Sequence, residues 1–135
     1  MRAGRRHICI YSSYASSLLY VKAALDEESI SAYLILESQA QNEREQAIEG
    51  FYQQGGILLG ATPMLMEGVD LVFVDTLVLY DLPRTAGLLN QLYGRFQRIG
   101  RAKPLRLIAF DSEKFVAARN ERVLGRIEEM IQDEA

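Results

Sequence analysis

Short apolar runs alternate along the chain with segments in which apolar residues recur every three or four positions. Ile8 to Tyr11, Ala32 to Leu36, Ile57 to Ala61, Thr76 to Tyr80 and Leu105 to Phe110 are runs of strand length bounded by polar or turn residues. Between them the spacing predicts helices. One runs from about Tyr14 to Glu28, with Ser12 and Ser13 as candidate caps and Leu18, Leu19, Val21, Ala24 and Leu25 inward. A second spans Gln41 to Gln53, with Ala47, Ile48 and Phe51 inward, and ends at Gly55-Gly56. A third runs from Thr85 to about Arg95, and a last long helix from Ser112 to Gln132. Pro63 to Glu67 reads as a short helix and Gly68-Val69-Asp70 as a turn.

Strands and helices in alternation predict an α/β domain: a parallel sheet joined by right-handed crossovers, with helices on both faces. The 135 residues fit one such domain, 1–135, with 112–135 its terminal helix. That helix carries Phe115, Val116, Val123, Ile127 and Ile131 along one face, suited to its own sheet or to a partner. In these sheets ligands gather at the carboxyl ends of the strands. Attention therefore falls on the loops after Tyr11, Leu36, Ala61, Tyr80 and Phe110.

Composition changes the picture at three points. Hydrophobic residues at 49% and charged residues at 24% argue against a disordered chain. The single cysteine, Cys9, lies in an apolar run and is expected to be a buried thiol; with His7 as the only other soft ligand, no zinc site is expected. The net charge of −3 excludes a globally basic nucleic-acid binder. From Arg84 to Arg106, however, the chain carries Arg84, Arg95, Arg98, Arg101, Lys103 and Arg106 and no acid, so a local basic surface is expected. No run is long and apolar enough to cross a bilayer, and no signal-like core follows the basic start; a cytoplasmic, nucleoid-associated or nuclear location is the expectation.

Two constellations carry candidate chemistry. After the third apolar run, Thr62 could offer its hydroxyl to a phosphate, Gly68 allows a tight turn, and Asp70 could accept a sugar hydroxyl; a plain turn between strands explains the same residues. The second is Gln91-Leu92-Tyr93-Gly94-Arg95-Phe96-Gln97-Arg98. Residues three apart on a helix share a face, and two guanidiniums aimed at one point make sense when an anion comes between them. These arginines are expected side by side at the rim of the sheet. The serines from Ser12 to Ser17 could bond backbone phosphates or cap the first helix. Tyr14, Tyr33, Phe51, Tyr52 and Phe96 could stack on bases or simply pack.

Taken in order, these segments resemble the C-terminal RecA-like lobe of superfamily 2 helicases and translocases. His7 to Leu25 is similar to motif IV, and Gln41-Asn42-Glu43-Arg44 with Phe51 to the Q-x-x-R…F segment. Ile57 to Thr62 through Glu67 to Leu71 resembles motif V. Val78 to Pro83 resembles the strand before motif VI, and Gln91 to Arg98 motif VI itself. The resemblance implies a RecA-like sheet in which Arg95 and Arg98 are arginine fingers reaching ATP held, with its magnesium, by a separate N-terminal ATPase lobe. It implies Gly68, Asp70 and Gln91 at the nucleotide, and Ser12, Thr62 and Arg44 at the nucleic-acid backbone. Motif VI begins with Gln91 rather than the His of RNA-directed DEAD-box proteins, which favours DNA over RNA. Leu92 stands where the family often has Arg, and Pro63 where motif V commonly has Asp.

The sequence contains no G-x-x-x-x-G-K-[ST] loop and no Asp-Glu pair at the end of an apolar strand. This chain alone is therefore expected neither to bind ATP tightly nor to hydrolyse it. Two alternatives stay open: a non-catalytic module that docks DNA or protein on its basic face, and an unrelated small nucleotide-binding domain. The second would need a glycine-rich loop after the first strand, where the chain has serines instead.

Overall fold

The computed structural model describes residues 6–61, 64–66, 71–96 and 105–109. Five strands form one parallel sheet: β1 (His7–Ser12), β2 (Ala32–Ile35), β3 (Gly56–Ala61), β4 (Thr76–Leu79) and β5 (Arg106–Ala109), in the spatial order β2-β3-β1-β4-β5. Three helices connect them: α1 (Ala15–Glu27), α2 (Gln41–Gln54) and α3 (Ala86–Phe96), with a single 3₁₀ turn at Met64–Met66. The expected alternation forms, each element shifted by no more than a residue or two at its ends. The turn at Gly68-Val69-Asp70 and the terminal helix expected over 112–132 lie outside the described residues.

Chain direction decides which helix covers which face. The step from β1 to β2 passes beyond β3, while every later step runs the other way across the sheet. Right-handed crossovers therefore put α1 on one face and the later connections on the other. Two apolar clusters match this division. On one face Cys9, Leu58, Leu77 and Leu107 meet Phe51, Leu65, Leu89 and Phe96; on the other Leu18 covers Leu59 and Ala61.

Local chemistry sets the ends of the elements. Gly55 and Gly56 adopt φ of 77° and 107°, the left-handed region that favours glycine, and Gly55 N–H bonds Phe51 O at 2.8 Å to close α2. Thr85 Oγ1 accepts the Leu88 N–H at 3.0 Å and caps α3. At the amino edge Asp75 ties three strand starts together. Its carboxylate accepts the His7 N–H at 2.7 Å, and its carbonyl accepts the Arg106 N–H at 2.9 Å.

Two sequence expectations are corrected here. Ser12 and Ser13 make no side-chain cap for α1; the N-cap is Tyr14, and Ser12 is still the last residue of β1. Nor do the five apolar residues expected inward on α1 share one buried face. Leu18 is buried and Val21 and Leu25 half-buried, but Ala24 is exposed and Leu19 is 51% exposed. Neighbouring residues stand about 100° apart on a helix, so a helix with no second helix beside it among the described residues buries a narrow stripe.

Candidate functional site

The carboxyl ends of β1 and β4, which are neighbours in the sheet, bring two loops together. Ser12 Oγ donates to Asp81 Oδ2 at 2.5 Å, and Ser13 N–H donates to Asp81 Oδ1 at 2.7 Å. Ser12 Oγ also accepts the Tyr14 N–H at 3.1 Å, and Ser13 Oγ donates to the Leu82 carbonyl at 3.3 Å. One carboxylate thus fixes the turn into α1 against the loop into α3. The sequence reading missed this role for Asp81. The available signal was an acid ending one apolar run and a serine pair ending another, but only strand order makes them neighbours.

This knot corrects the expected role of Ser12 as a phosphate donor. Its side chain is buried and its hydroxyl is spent on Asp81. Tyr14, the next residue but one, is 52% exposed at the same rim. Phe51 and Phe96, also considered as stacking residues, are fully buried, Tyr33 is half-buried, and Tyr52 is exposed.

Arg44 is also engaged within the chain. Its Nη1 donates to the carbonyls of Leu36 and Glu37, each at 3.2 Å, and to that of Gln39. The Gln39 side chain completes the arrangement: its Oε1 accepts the Leu36 N–H at 2.8 Å and its Nε2 donates to Leu34 O at 3.0 Å. Arg44, through Nη1, and Gln39 thus hold the β2–α2 loop by satisfying its backbone groups.

On α3, Leu89, Leu92 and Phe96 are buried, at the spacing of one helix face. Gln91 is exposed and Arg95 half-buried. Four residues apart, they lie one turn from each other on a flank of that buried stripe. Arg95 occupies the last turn of α3, where the helix dipole favours a cation. The helix follows the carboxyl end of β4 and packs against the 3₁₀ turn Met64–Met66 that comes after β3. Nine residues at about 1.5 Å each put Arg95 roughly 13–14 Å along the axis from Ala86. Arg95 thus sits near the end of α3, one turn beyond Gln91. Arg98, Thr62, Gly68 and Asp70 lie outside the described residues.

An amide and a guanidinium on one flank make a donor set suited to the outer oxygens of a nucleotide phosphate. They do not form a cradle for a whole nucleotide. Among the described residues no group of three or more His, Cys, Asp or Glu side chains is placed to hold a metal ion. No described helix is long and apolar enough to cross a membrane.

Comparison with known proteins agrees with this architecture. The model of the helicase conserved C-terminal domain matches residues 1–100. The RNA polymerase-associated protein RapA of Vibrio cholerae serotype O1 is 35% identical over 101 residues, which is 73% of this chain and 10% of that protein. RapA of Pasteurella multocida is 32% identical over 103 residues, 74% of this chain and 11% of that protein. The chain thus spans about a tenth of the length of these relatives. Among solved structures, the C-terminal part of the Fun30 ATPase domain superposes with a TM-score of 0.70 at 17% identity, covering 93% of this chain and 39% of that one. The C-terminal domain of the DEAD-box protein Dbp5 gives 0.69 at 17% identity, covering 95% of this chain and 69% of that one. With the family match spanning residues 1–100 and the RecA-like parallel sheet in place, the chain belongs to the helicase conserved C-terminal domain family of superfamily 2.

Proposed function

We propose that this chain is the second RecA-like lobe of an ATP-driven motor that tracks nucleic acid, and that it serves the ATP bound by a first lobe. The observation that carries this reading is the family match, which takes in the whole of α3 with Gln91 and Arg95. In this role Arg95, with Arg98 beyond the described residues, places positive charge on the γ-phosphate as the terminal bond breaks. Such fingers are worth about 10³–10⁵ in rate in related phosphoryl transfers. Gln91 orients the same phosphate from one turn earlier. ATP, with magnesium held by the other lobe, supplies the free energy; this chain contributes the charge and the closing surface. The RapA relatives are associated, by name, with RNA polymerase, an enzyme that works on a DNA template, which supports DNA as the track.

The test adds candidate ATPase lobes, or uses the parent protein that contains both lobes, and measures DNA-stimulated turnover. Arg95→Ala is expected to reduce turnover about a thousandfold or more with little change in ATP affinity. Arg95→Lys should recover little, because the planar donor fork is lost. Turnover unaffected by Arg95→Ala, with DNA affinity reduced instead, would favour a docking module over a motor lobe.

A further inference from the structure

Among the described residues β2 is an edge strand, and the direction of its backbone groups follows from its neighbours. In a strand the N–H and C=O of one residue point to one side and those of the next residue to the other. Gly56 N–H donates to Arg6 O at 2.7 Å, so Gly56, Leu58 and Gly60 face β1, and Ile57, Leu59 and Ala61 face β2. With Leu34 opposite Leu59, β2 pairs with β3 through Tyr33 and Ile35. The N–H and C=O groups of Ala32, Leu34 and Leu36 therefore point away from β3, along the outer edge.

An edge of this kind is a template for another strand. Its carboxyl half is already taken, chiefly by one side chain. Gln39 Nε2 donates to the Leu34 carbonyl at 3.0 Å, and Gln39 Oε1 accepts the Leu36 N–H at 2.8 Å. A residue of a further parallel strand opposite Ile35 would make the same two bonds, its N–H to Leu34 and its C=O to Leu36. The Leu36 carbonyl is held by the Gln39 N–H at 3.1 Å and by Arg44 Nη1 at 3.2 Å. The outward groups left to a neighbour, among the described residues, are those of Ala32 and the Leu34 N–H, fewer than a stable strand pairing needs.

We propose that Gln39 is an edge guard: its amide occupies the place of one residue of a further strand and so keeps β2 from pairing with β2 of a second copy of this chain. The second copy is the partner excluded because the edge is self-complementary. A two-fold axis at Leu34 sets the two strands antiparallel, and each Leu34 then offers its N–H to the other's carbonyl. Gln39 Nε2 already engages that carbonyl. The device is independent of the motor reading, since it uses neither Gln91 nor Arg95.

The test uses the full 135-residue chain. Gln39→Met keeps the length of the side chain and removes its amide. Gln39→Asn keeps an amide one methylene short of its partners. Both variants are expected to self-associate, with a mass about twice that of the parent at high protein concentration in sedimentation velocity. Hydrogen exchange read by nuclear magnetic resonance locates the contact. In the dilute variants the Leu36 N–H should exchange at least about tenfold faster than in the parent, and the Leu34 N–H should become protected as concentration rises. Ala32→Pro added to Gln39→Met should restore the monomer, because it removes an outward N–H and no bond to β3. Monomeric variants with native circular dichroism would overturn the proposal. So would association that Ala32→Pro leaves unchanged, which would put the contact on another surface. Loss of the native circular dichroism in both variants would also overturn it, the amide then serving the fold and not its edge.

Discussion

The Ser12 hydroxyl donates to Asp81 Oδ2 at 2.5 Å, joining the carboxyl ends of β1 and β4 although the two residues are 69 positions apart in sequence. The same carboxylate takes the Ser13 N–H. Asp81→Ala strands a buried hydroxyl and an amide together, so a loss of about 1–3 kcal/mol is expected. Ser12→Ala, which removes one donor and leaves Asp81 the Ser13 N–H, should cost less. Urea midpoints of the two variants measure this, and equal stability of Asp81→Ala and the parent would refute the clasp.

Arg44 is predicted to matter for stability and not for phosphate binding. Removing its guanidinium leaves the carbonyls of Leu36, Glu37 and Gln39 without their shared donor, at a cost of about 1–3 kcal/mol for Arg44→Ala. The salt dependence of nucleic-acid binding should keep its slope, because each lost phosphate contact would flatten it by about 0.7–0.9. A flatter slope in Arg44→Ala would restore the role that the sequence suggested.

Gly60 faces the core at a point where no side chain fits. A Cβ there would stand 2.8 Å from both Cγ and Cδ2 of Leu65 and 3.1 Å from Cγ1 of Ile35. Gly60→Ala should destabilise the chain by about 1–3 kcal/mol through overpacking. Shortening the neighbour in the same molecule, as Gly60→Ala with Leu65→Ala, should cost less than the sum of the two single changes. Strict additivity in chemical denaturation would show that the contact is not the cause.

Burial pushes the Cys9 thiol far above its ordinary value of 9.0. The unfolded chain ionises first as pH rises, so the stability attached to this group is complete below pH 9 and declines above it. Cys9 should resist alkylation at pH 8 in the folded chain and react promptly in denaturant. Rapid native-state alkylation at that pH would contradict the buried position in β1.

The limits of sequence reading follow from physical reach. Alternating runs located all five strands and three helices, because hydrophobic periodicity is a local property. Gly55-Gly56 marked the end of α2 for the same reason: the glycines themselves permit the positive φ. Burial on α1 was less legible. Leu18 and Leu19 are equally apolar, and only the absence of a second helix beside α1 among the described residues leaves Leu19 in solvent. The donor in Arg44 was visible as a side chain, but its three carbonyl acceptors exist only once the β2–α2 loop closes.

The sequence alone determined the element order, the parallel α/β architecture and the helicase C-terminal resemblance, since these rest on spacing within short windows and on motifs in fixed order. Tertiary structure alone decided which polar groups are already spent and where the rest stand. Strand order set Asp81 against Ser12, loop closure engaged Arg44, and the packing of α3 left Gln91 exposed and Arg95 half-buried. Hydrogen bonds and burial depend on distances between remote parts of the chain, which the sheet fixes only when it forms.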